Sequence, residues 1–320
     1  MVRQTLPGLA LLLTLGLLTP AAGAPGAKAS APGAAKGVPS DRRVVYQADP
    51  DGDGQVQIFT LTLNAPRPVA VTEGPAKSPT IARTGDVFYT RYITPMWGRI
   101  TKMYHYQWPD GPEVGVTTNE LADEHDPCIS RDGGVLAFIS LRYFQPTVGP
   151  QTSATELIAY KRPFEKQRQL TVAANVESNP AVDADGTWIY YTVTFQDGHT
   201  EVWRSNFHNS KAERIAGLED GKITECHQPA VDGKNRWCAY ASTRDGNSEI
   251  YVKDLTTMKE TRLTNAESWD GEPAMSEDGH HIVFVSDRDG DKELFVMNRD
   301  GSDVRQLTEN SFADDAPMVQ

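Results

Sequence analysis

The sequence predicts an all-β fold, a single six-bladed β-propeller with four-stranded blades, on the basis of two observations. A proline, a short strand, a turn and an aromatic strand recur in that order, and successive prolines are 44 to 53 residues apart, the length of one blade. The chain also begins with one part of this motif and ends with the complementary part. We therefore expect a signal peptide over 1–24, a tether rich in Ala, Pro and Gly over 25–40, and the propeller over 41–320.

Residues 1–24 have the pattern of a secretory signal peptide. Arg3 provides the positive start, 6–18 are mostly apolar, and 22–24 form a small-residue cleavage site. An uncleaved anchor is the alternative, but proline and glycine interrupt an apolar run that is already short for a membrane span. No cysteine follows this run, which disfavours a lipid anchor. We expect export to the periplasm or beyond after cleavage near Ala24, with no membrane span in the mature chain.

Composition excludes one class of partner. The formal net charge is −12 and the pI is about 5.1, whereas a protein that binds nucleic acid needs a basic face. Cys128, Cys226 and Cys238 allow at most one disulfide, between the last two, and buried free thiols are the favoured interpretation. No Cys-x-x-Cys motif is present, and we expect no cofactor.

The blade pattern is clearest near the C-terminus. Residues 273–276, 281–286, 293–297 and 304–307 are predicted strands, and Asp-Gly or Asn-rich turns separate them. Glycine and Asn in these turns supply the positive φ that tight hairpins require. One such sheet cannot bury both of its faces, so it needs copies of itself on either side.

The copies follow in order along the chain. First strands are marked by a proline, at Pro79, Pro127, Pro180, Pro229, Pro273 and Pro317. Second strands fall at 44–46, 87–89, 136–139, 188–191, 237–240 and 282–285, and third strands at 58–59, 103–104, 157–160, 202–203, 250–252 and 294–296. The first second strand has no proline-marked first strand before it, and Pro317 has no second strand after it. We predict that 316–320 joins the sheet begun by 43–72 as its innermost strand and closes the ring.

Several strings resemble the WD-repeat-like blades of the TolB family, the periplasmic propeller of the Tol-Pal envelope system. They are SDRDGDKELFVMNRDGSDVRQLTEN, STRDGNSEIYVKDLTTMKETRLTN and PAMSEDGHHIVFVS. The resemblance is most specific over 229–310, and weaker but in register over 41–228. TolB has a sizeable α/β domain before its propeller, whereas here only a leader and a tether precede the first blade.

The resemblance implies a non-enzymatic protein- or peptide-binding scaffold in the cell envelope. The expected partner is an envelope protein or peptide, with lipoproteins among the candidates, and the chain is expected to be a monomer. Similar blades precede the catalytic domain of prolyl-oligopeptidase-type peptidases, but this sequence has no Gly-x-Ser-x-Gly nucleophile motif.

Acidic residues cluster where the predicted loops between blades would share one face of the disc. They are Glu120, Asp123, Glu124, Asp126, Glu219, Asp220, Glu225, Glu267, Asp270, Glu272, Asp314 and Asp315. Together they would form a negative rim that attracts a basic peptide, a basic patch or a cation. The alternative is that they only keep the protein soluble.

Two long predicted loops, 91–102 and 142–155, carry aromatic side chains beside that rim. They are Tyr92, Trp97, Tyr143 and Phe144, together with Met96. Exposed aromatic residues are typical of binding surfaces. The alternative is that they pack back over the blades.

A metal site is the competing hypothesis. His125, His227 and Asp315 stand two residues before the prolines of alternate blades, so they are predicted to have pseudo-threefold placement at the channel mouth. Two imidazoles and a carboxylate suit a divalent metal, and would make the protein a metal-dependent lyase or hydrolase acting on a polyanionic or sugar substrate. Residues 49–54 resemble the start of a calcium loop, but Thr60 stands where a bidentate Glu is required, so an ordinary turn is favoured.

Overall fold

The described residues form an all-β ring of six sheets, which confirms the predicted fold class. The computed structural model describes residues 42–94, 100–107, 109–117, 122–142, 155–164, 167–171, 175–219 and 221–320. In these ranges the chain has 26 β-strands and no helix, so none of its described elements is a candidate transmembrane helix. Ser40–Gln320 is one compact unit, and the unit formed by Met1–Pro39 lies outside the described residues.

The strands are short and follow one another as hairpins. In chain order they are β1 (Arg43–Ala48), β2 (Gln57–Thr62), β3 (Val69–Ala70), β4 (Lys77–Ile81), β5 (Asp86–Ile93), β6 (Ile100–Gln107), β7 (Glu113–Gly115), β8 (Ala122–Ile129), β9 (Val135–Arg142), β10 (Glu156–Lys161), β11 (Gln167–Gln169), β12 (Val176–Val182), β13 (Trp188–Thr194), β14 (Thr200–Asn206), β15 (Ala212–Ala216), β16 (Leu218–Glu219), β17 (Lys222–Ile223), β18 (Cys226–Val231), β19 (Trp237–Ser242), β20 (Glu249–Asp254), β21 (Glu260–Arg262), β22 (Asp270–Met275), β23 (His281–Ser286), β24 (Glu293–Asn298), β25 (Arg305–Gln306) and β26 (Asp314–Val319).

Six antiparallel sheets of four strands form the blades. Blade one has the order β26-β1-β2-β3, and blades two to six are β4–β7, β8–β11, β12–β15, β18–β21 and β22–β25. A small hairpin, β16–β17, stands between blades four and five. The turns between the first and second strands of blades two, three, four and six contain a glycine with positive φ, as predicted for tight hairpins; these are Gly85, Gly133, Gly186 and Gly279.

The last strand closes the ring as predicted. β26 pairs with β1 in antiparallel fashion, with Val319 opposite Val44 and Asp314 opposite Ala48. The packing around this closure is continuous, because Val44, Val319 and Leu294 belong to one apolar cluster that joins blades six and one. The ring is therefore held shut by both backbone hydrogen bonds and a buried core.

Every innermost strand has a β-bulge at its proline. The residue before each of the six prolines has a left-handed φ of 48° to 54°, namely Ser78, Asp126, Asn179, Gln228, Glu272 and Ala316. The strand register shifts at the same points. A bulge leaves one residue unpaired, so it accommodates a proline that cannot donate to the ladder while pairing continues on both sides.

This bulge corrects one sequence prediction. The inner strands were expected to start at the prolines, but β22 begins at Asp270, three residues before Pro273. The acidic residues of the predicted inter-blade loops therefore lie largely within inner strands; these are Asp123, Glu124 and Asp126 in β8, Asp270 and Glu272 in β22, and Asp314 and Asp315 in β26. The prediction was wrong because the β-bulge lets the pairing of the inner strand with the second strand begin before the proline.

In blades one, three, five and six, a threonine attaches the outer loop to the blade. The amide of Leu294, near the start of the third strand, donates to Thr308 Oγ1 at 2.9 Å, and Ile250 donates to Thr264 Oγ1 at the same distance. Thr72 and Thr171 accept equivalent bonds in blades one and three. These bonds hold the loop between consecutive blades close to the sheet, and so fix the geometry of the blade junctions.

Candidate binding site in the channel

A polar cavity lies where the six inner strands converge. It has a volume of about 270 Å³ and is lined by the six left-handed residues, their prolines, Gln47, Asp315 and Met318. The bulge is what turns the residue before each proline towards the channel, because an extra residue reverses the alternation of the strand. Each blade thus contributes the residue before its proline to the channel surface, and blade one adds Gln47, Asp315 and Met318.

Hydrogen bonds link these side chains from one blade to the next. The Glu272 amide donates to Gln228 Oε1 at 3.0 Å, and the Ala316 amide donates to Glu272 Oε2 at 2.6 Å. The side chain of Ala316 cannot accept a hydrogen bond. In blade one, Gln47 accepts from the Ser78 amide instead, at 2.8 Å. The polar groups of the channel are therefore held in fixed positions before any ligand binds.

The channel is acidic. Asp126, Glu272 and Asp315 line it, and no lysine or arginine is among its described lining residues. Asp315 Oδ1 is buried and has no hydrogen-bond partner among the residues that the structure describes. Burial, and then the charge of Glu272, raise the pKa of Asp315 to about 6, while a hydrogen bond from Gln47 and the charge of Lys292 act in the opposite direction. These groups favour a ligand that brings a positive charge or several donors.

Several predicted rim residues are instead buried inside the blade junctions. Glu124, Asp270 and Asp314 are 3%, 0% and 0% exposed. Glu124 accepts a hydrogen bond from Thr117 and lies 3.6 Å from Lys102 Nζ. Because these carboxylates are buried and bond to neighbouring residues, they do not form the solvent-facing rim that the sequence predicted.

The remaining acidic residues differ in position. Asp123 accepts from the Thr101 amide at 2.6 Å, and Glu225 accepts from the Thr200 amide at 3.1 Å, so both hold neighbouring strands. Glu267 is exposed on a loop and Glu219 lies in β16, while Glu120 and Asp220 fall outside the described residues.

Of the predicted aromatic residues, only Tyr92 falls within the described part of the chain. It belongs to the end of β5 rather than to a loop, and its side chain is 45% exposed. Lys77 Nζ donates to its hydroxyl at 2.9 Å and lies 4.5 Å from the ring centroid. Met96, Trp97, Tyr143 and Phe144 lie outside the described residues.

The three candidate metal ligands are not brought together. Asp315 lines the channel, but neither His125 nor His227 is among the described residues that do so. His125 Nε2 lies 3.3 Å from Asp123 Oδ2, and burial lowers the pKa of His227. Within the described ranges, no group of three or more His, Cys, Asp or Glu side chains is placed to hold a metal ion.

Two other sequence features have ordinary structural roles. Residues 49–54 form a turn in which the Gly54 amide donates to Asp49 Oδ2 at 2.8 Å, and Thr60 is buried with its hydroxyl donating to Val44 O. All three cysteines are free and buried, which confirms the favoured interpretation.

Gln47, Asn179 and Gln228 are channel residues that the sequence analysis missed. The prolines located their strands, but the choice between the first and second residue before each proline depended on the bulge. A left-handed φ cannot be predicted from the sequence when the position holds Ser, Gln, Glu or Ala.

Comparison with known proteins agrees with the fold and with the repeat. Residues 165–319 match the family described as TolB beta propeller domain. An uncharacterized protein of Agrobacterium fabrum, Atu1656, is 35% identical over 88 residues, which is 28% of this chain and 29% of that protein.

Solved structures of propellers are similar over most of the chain. TolB from Acinetobacter baumannii has a TM-score of 0.69 at 17% identity, over 88% of this chain and 66% of that one. An oligogalacturonate lyase in complex with manganese has a TM-score of 0.56 at 16% identity, over 80% of this chain and 71% of the lyase. The chain thus spans slightly less than two thirds of that TolB, and identities this low establish the fold alone.

Proposed function

We propose that this chain, a TolB-like β-propeller, acts as a non-enzymatic protein- or peptide-binding scaffold in the periplasm. The observation that carries the proposal is the channel, whose wall has one preset side chain from each blade and three carboxylates. The partner is an envelope protein or peptide, with lipoproteins among the candidates, which inserts a basic or donor-rich segment into the channel mouth.

The chemistry of the wall supports binding rather than bond cleavage. Its side chains are carboxylates, amides and one hydroxyl, and several already accept hydrogen bonds from backbone amides of the next blade. No imidazole or thiol is among the described lining residues that could serve as a nucleophile or base with a partner group. A rigid acidic concavity of this kind selects a ligand by charge and donor geometry.

Affinity capture from the organism's own envelope extract, followed by mass spectrometry, tests the proposal. The test variant combines Glu272→Gln with Asp126→Asn, which removes two charges from the channel and keeps the acceptors for Ala316 and Ser78. The control is Glu267→Gln, on an exposed loop. We expect wild type and control to enrich the same envelope protein at low salt. The channel variant should capture about tenfold less of that protein. Equal capture by all three proteins would contradict the proposal.

A metal-dependent lyase or hydrolase is the second candidate, because a manganese-containing oligogalacturonate lyase has a similar fold. Its ligands here would be His125, His227 and Asp315, and the separation of the two histidines from the channel wall argues against it. Stoichiometric metal in the purified protein, lost when both histidines are replaced by Ala, would favour this candidate over the scaffold.

A further inference from the structure

Blades five and six each carry an arginine that stacks on an aromatic pair, and in blade six this arginine also pairs with a buried acid. In blade six, the Arg288 guanidinium lies 4.6 Å from the Phe295 ring centroid and 5.5 Å from that of Phe284. The same group donates to both oxygens of Asp270, at 2.9 and 3.1 Å, and to Ser286 Oγ at 2.8 Å. In this way it neutralises a carboxylate that is completely buried.

Blade five has the same arginine and ring pair, with a thiol in place of the acid and Glu260 as the carboxylate partner at 2.9 Å. The Arg244 guanidinium lies 4.4 Å from the Tyr251 ring centroid and 6.0 Å from that of Tyr240, and it donates to Cys226 Sγ at 3.2 Å. Cys226 stands at the position of Asp270, three residues before the blade's proline. The arginine and its ring pair are therefore shared by two blades, whereas the residue at the position of the acid differs.

At the junction between blades six and one, here the closure junction, the acid and the rings remain but the arginine is missing. Asp314 is opposite Ala48 in the strand pairing, as Asp270 is opposite Ser286, so Pro50 stands where Arg288 does. Tyr46 and Phe59 form the ring pair, with centroids 5.8 Å apart, the same separation as Phe284 and Phe295.

A second cation is missing from the same place. In blade five, Arg262 bridges Glu249 at 2.8 Å and Asp245 at 2.9 Å. The strand pairing puts Gln306 of blade six at the position of Arg262, and the Gln306 side chain donates to Asp289. Glu293, the counterpart of Glu249, is 1% exposed and has no arginine opposite it.

The two acids of the closure junction are consequently left without a described cation. Asn310 is their shared donor, since its Nδ2 bonds Asp314 Oδ2 at 2.8 Å and its backbone amide bonds Glu293 Oε1 at 2.6 Å. Asp314 Oδ1 is buried and has no hydrogen-bond partner within the described part of the chain. Burial and the charge of Glu293 raise the pKa of Asp314 to about 7. A buried carboxylate in this state is stabilised by any cation that reaches it.

Space next to this junction is present, and it reaches Asn310, the donor to Asp314, but not the two acids themselves. A cavity of about 410 Å³, here the closure cavity, is lined by Tyr46, Ala48, Pro50, Phe59, Asn310 and Phe312 together with neighbouring residues. The junction of blades three and four also lacks the arginine, but Phe195 takes its position there and packs against the core. The closure junction has an unfilled space at this position.

We propose that the closure cavity binds an arginine side chain presented by a peptide segment of another protein, which displaces the Asn310 side chain from Asp314, pairs with that carboxylate and stacks on Tyr46 and Phe59. The planar guanidinium matches both a carboxylate and two aromatic faces, which an ammonium group does less well. The acidic net charge of −12 favours the approach of a basic segment. This site is separate from the channel and does not depend on the proposed function.

Titration of the full-length protein with Nα-acetyl-arginine N-methylamide, followed by NMR, tests the proposal. We expect saturable binding with a dissociation constant on the order of 1 mM for so small a ligand, and at least about tenfold weaker binding of the citrulline analogue, which lacks the charge. Asp314→Asn should weaken arginine binding to the level of citrulline, whereas Glu272→Gln in the channel should leave it unchanged. Equal binding of arginine and citrulline, or of wild type and Asp314→Asn, would overturn the proposal.

Pro50→Arg provides a second variant that does not touch the buried acid. It places an arginine where Arg288 stands in blade six, so it should fill the cavity from within and abolish binding of the arginine probe. Unchanged binding to Pro50→Arg would overturn the proposal, as would a lysine analogue that binds as tightly as arginine. A dimer that Pro50→Arg dissolves would assign the cavity to a second copy of this chain instead.

The pH dependence provides an independent readout. Binding needs ionised Asp314, so the affinity for the probe should fall about tenfold between pH 8 and pH 6. The titratable groups around it are Glu293 on β24, Tyr46 on β1 and Glu309 in the cavity wall. An affinity that is flat over this range would contradict the role of Asp314. Because Asp314→Asn leaves the channel intact, it should still capture the envelope partner, so failure of either proposal can be recognised separately.

Discussion

The junction of blades five and six and the closure junction share one backbone arrangement but differ in charge. In the first, two arginines, Arg262 and Arg288, neutralise two buried acids. In the second, the corresponding positions hold Gln306 and Pro50, and Glu293 and Asp314 keep only neutral donors. Strand pairing and apolar packing therefore shut the ring at the closure junction without an arginine–carboxylate pair, and such pairs are an addition at the junction of blades five and six.

The largest effect should come from removing the strand that makes the closure junction. A chain that ends after Ala313 loses β26 and its pairing with β1. We expect its free energy of unfolding in urea to fall by at least about 5 kcal/mol, because the ring opens and an apolar cluster is exposed. A synthetic peptide of residues 310–320 should restore part of the loss by adding the missing strand. Unchanged stability would refute closure by β26.

Arginine removal should distinguish the two junctions next. Arg288→Met keeps the packing on Phe284 and Phe295 but leaves Asp270 as an uncompensated buried charge, so we expect a loss of about 3 kcal/mol. The matched change at the closure junction, Pro50→Met, removes no charge partner and should cost less than about 0.5 kcal/mol. Urea denaturation at pH 8 measures both, and equal losses would show that the two positions are not equivalent.

Restoring a cation should stabilise the closure junction. Gln306→Arg can bridge Asp289 and Glu293 as Arg262 bridges Asp245 and Glu249, and we expect a gain of about 1 kcal/mol at pH 8. The gain should shrink as the pH falls below about 7, where Asp314 becomes protonated and less negative charge remains to neutralise. Thr261→Arg, on the exposed side of β21, is a control for added positive charge alone.

The channel side of the two junctions should behave alike, with small effects. Gln228→Ala removes the acceptor for the Glu272 amide at the junction of blades five and six, and Glu272→Ala removes the acceptor for the Ala316 amide at the closure junction. Each should cost about 1 kcal/mol in thermal or urea unfolding. A much larger cost at one of them would mean that the junctions also differ in the channel, contrary to the symmetry seen there.

The architecture was predictable because the repeat is written in local features. Prolines, Asp-Gly turns and aromatic second strands located all six blades, and the incomplete motifs at the two ends predicted how β26 pairs. The channel wall was not predictable, because it depends on a left-handed residue before each proline, and that conformation is occupied here by Ser, Asp, Asn, Gln, Glu and Ala alike. The sequence pattern predicted that His125 and His227 line the channel. In the structure the bulge directs the following residues, Asp126 and Gln228, to the channel instead.

The missing arginines can also be recognised in the sequence once the structure shows what they do. Ser286-Asp287-Arg288 and Ser242-Thr243-Arg244 occupy the position where blade one has Ala48-Asp49-Pro50. Burial of the opposing acid could not be anticipated, since acidic residues next to a proline were interpreted as loop residues. In the structure these acidic residues lie inside strands, which contradicts that interpretation.

Two identical substitutions at equivalent positions test the central comparison most directly. Asp270→Asn and Asp314→Asn should be unfolded in urea side by side at pH 8. Folding raises the pKa of Asp314 from 3.8 to about 7, so the folded state binds the proton more tightly and its stability falls as the pH rises from about 4 to 7, then stays level. We therefore expect Asp314→Asn to stabilise the protein by on the order of 2 kcal/mol at pH 8, and Asp270→Asn to destabilise it by about 3 kcal/mol by leaving Arg288 unpaired. A loss of stability in both variants would contradict a cation vacancy at the closure junction.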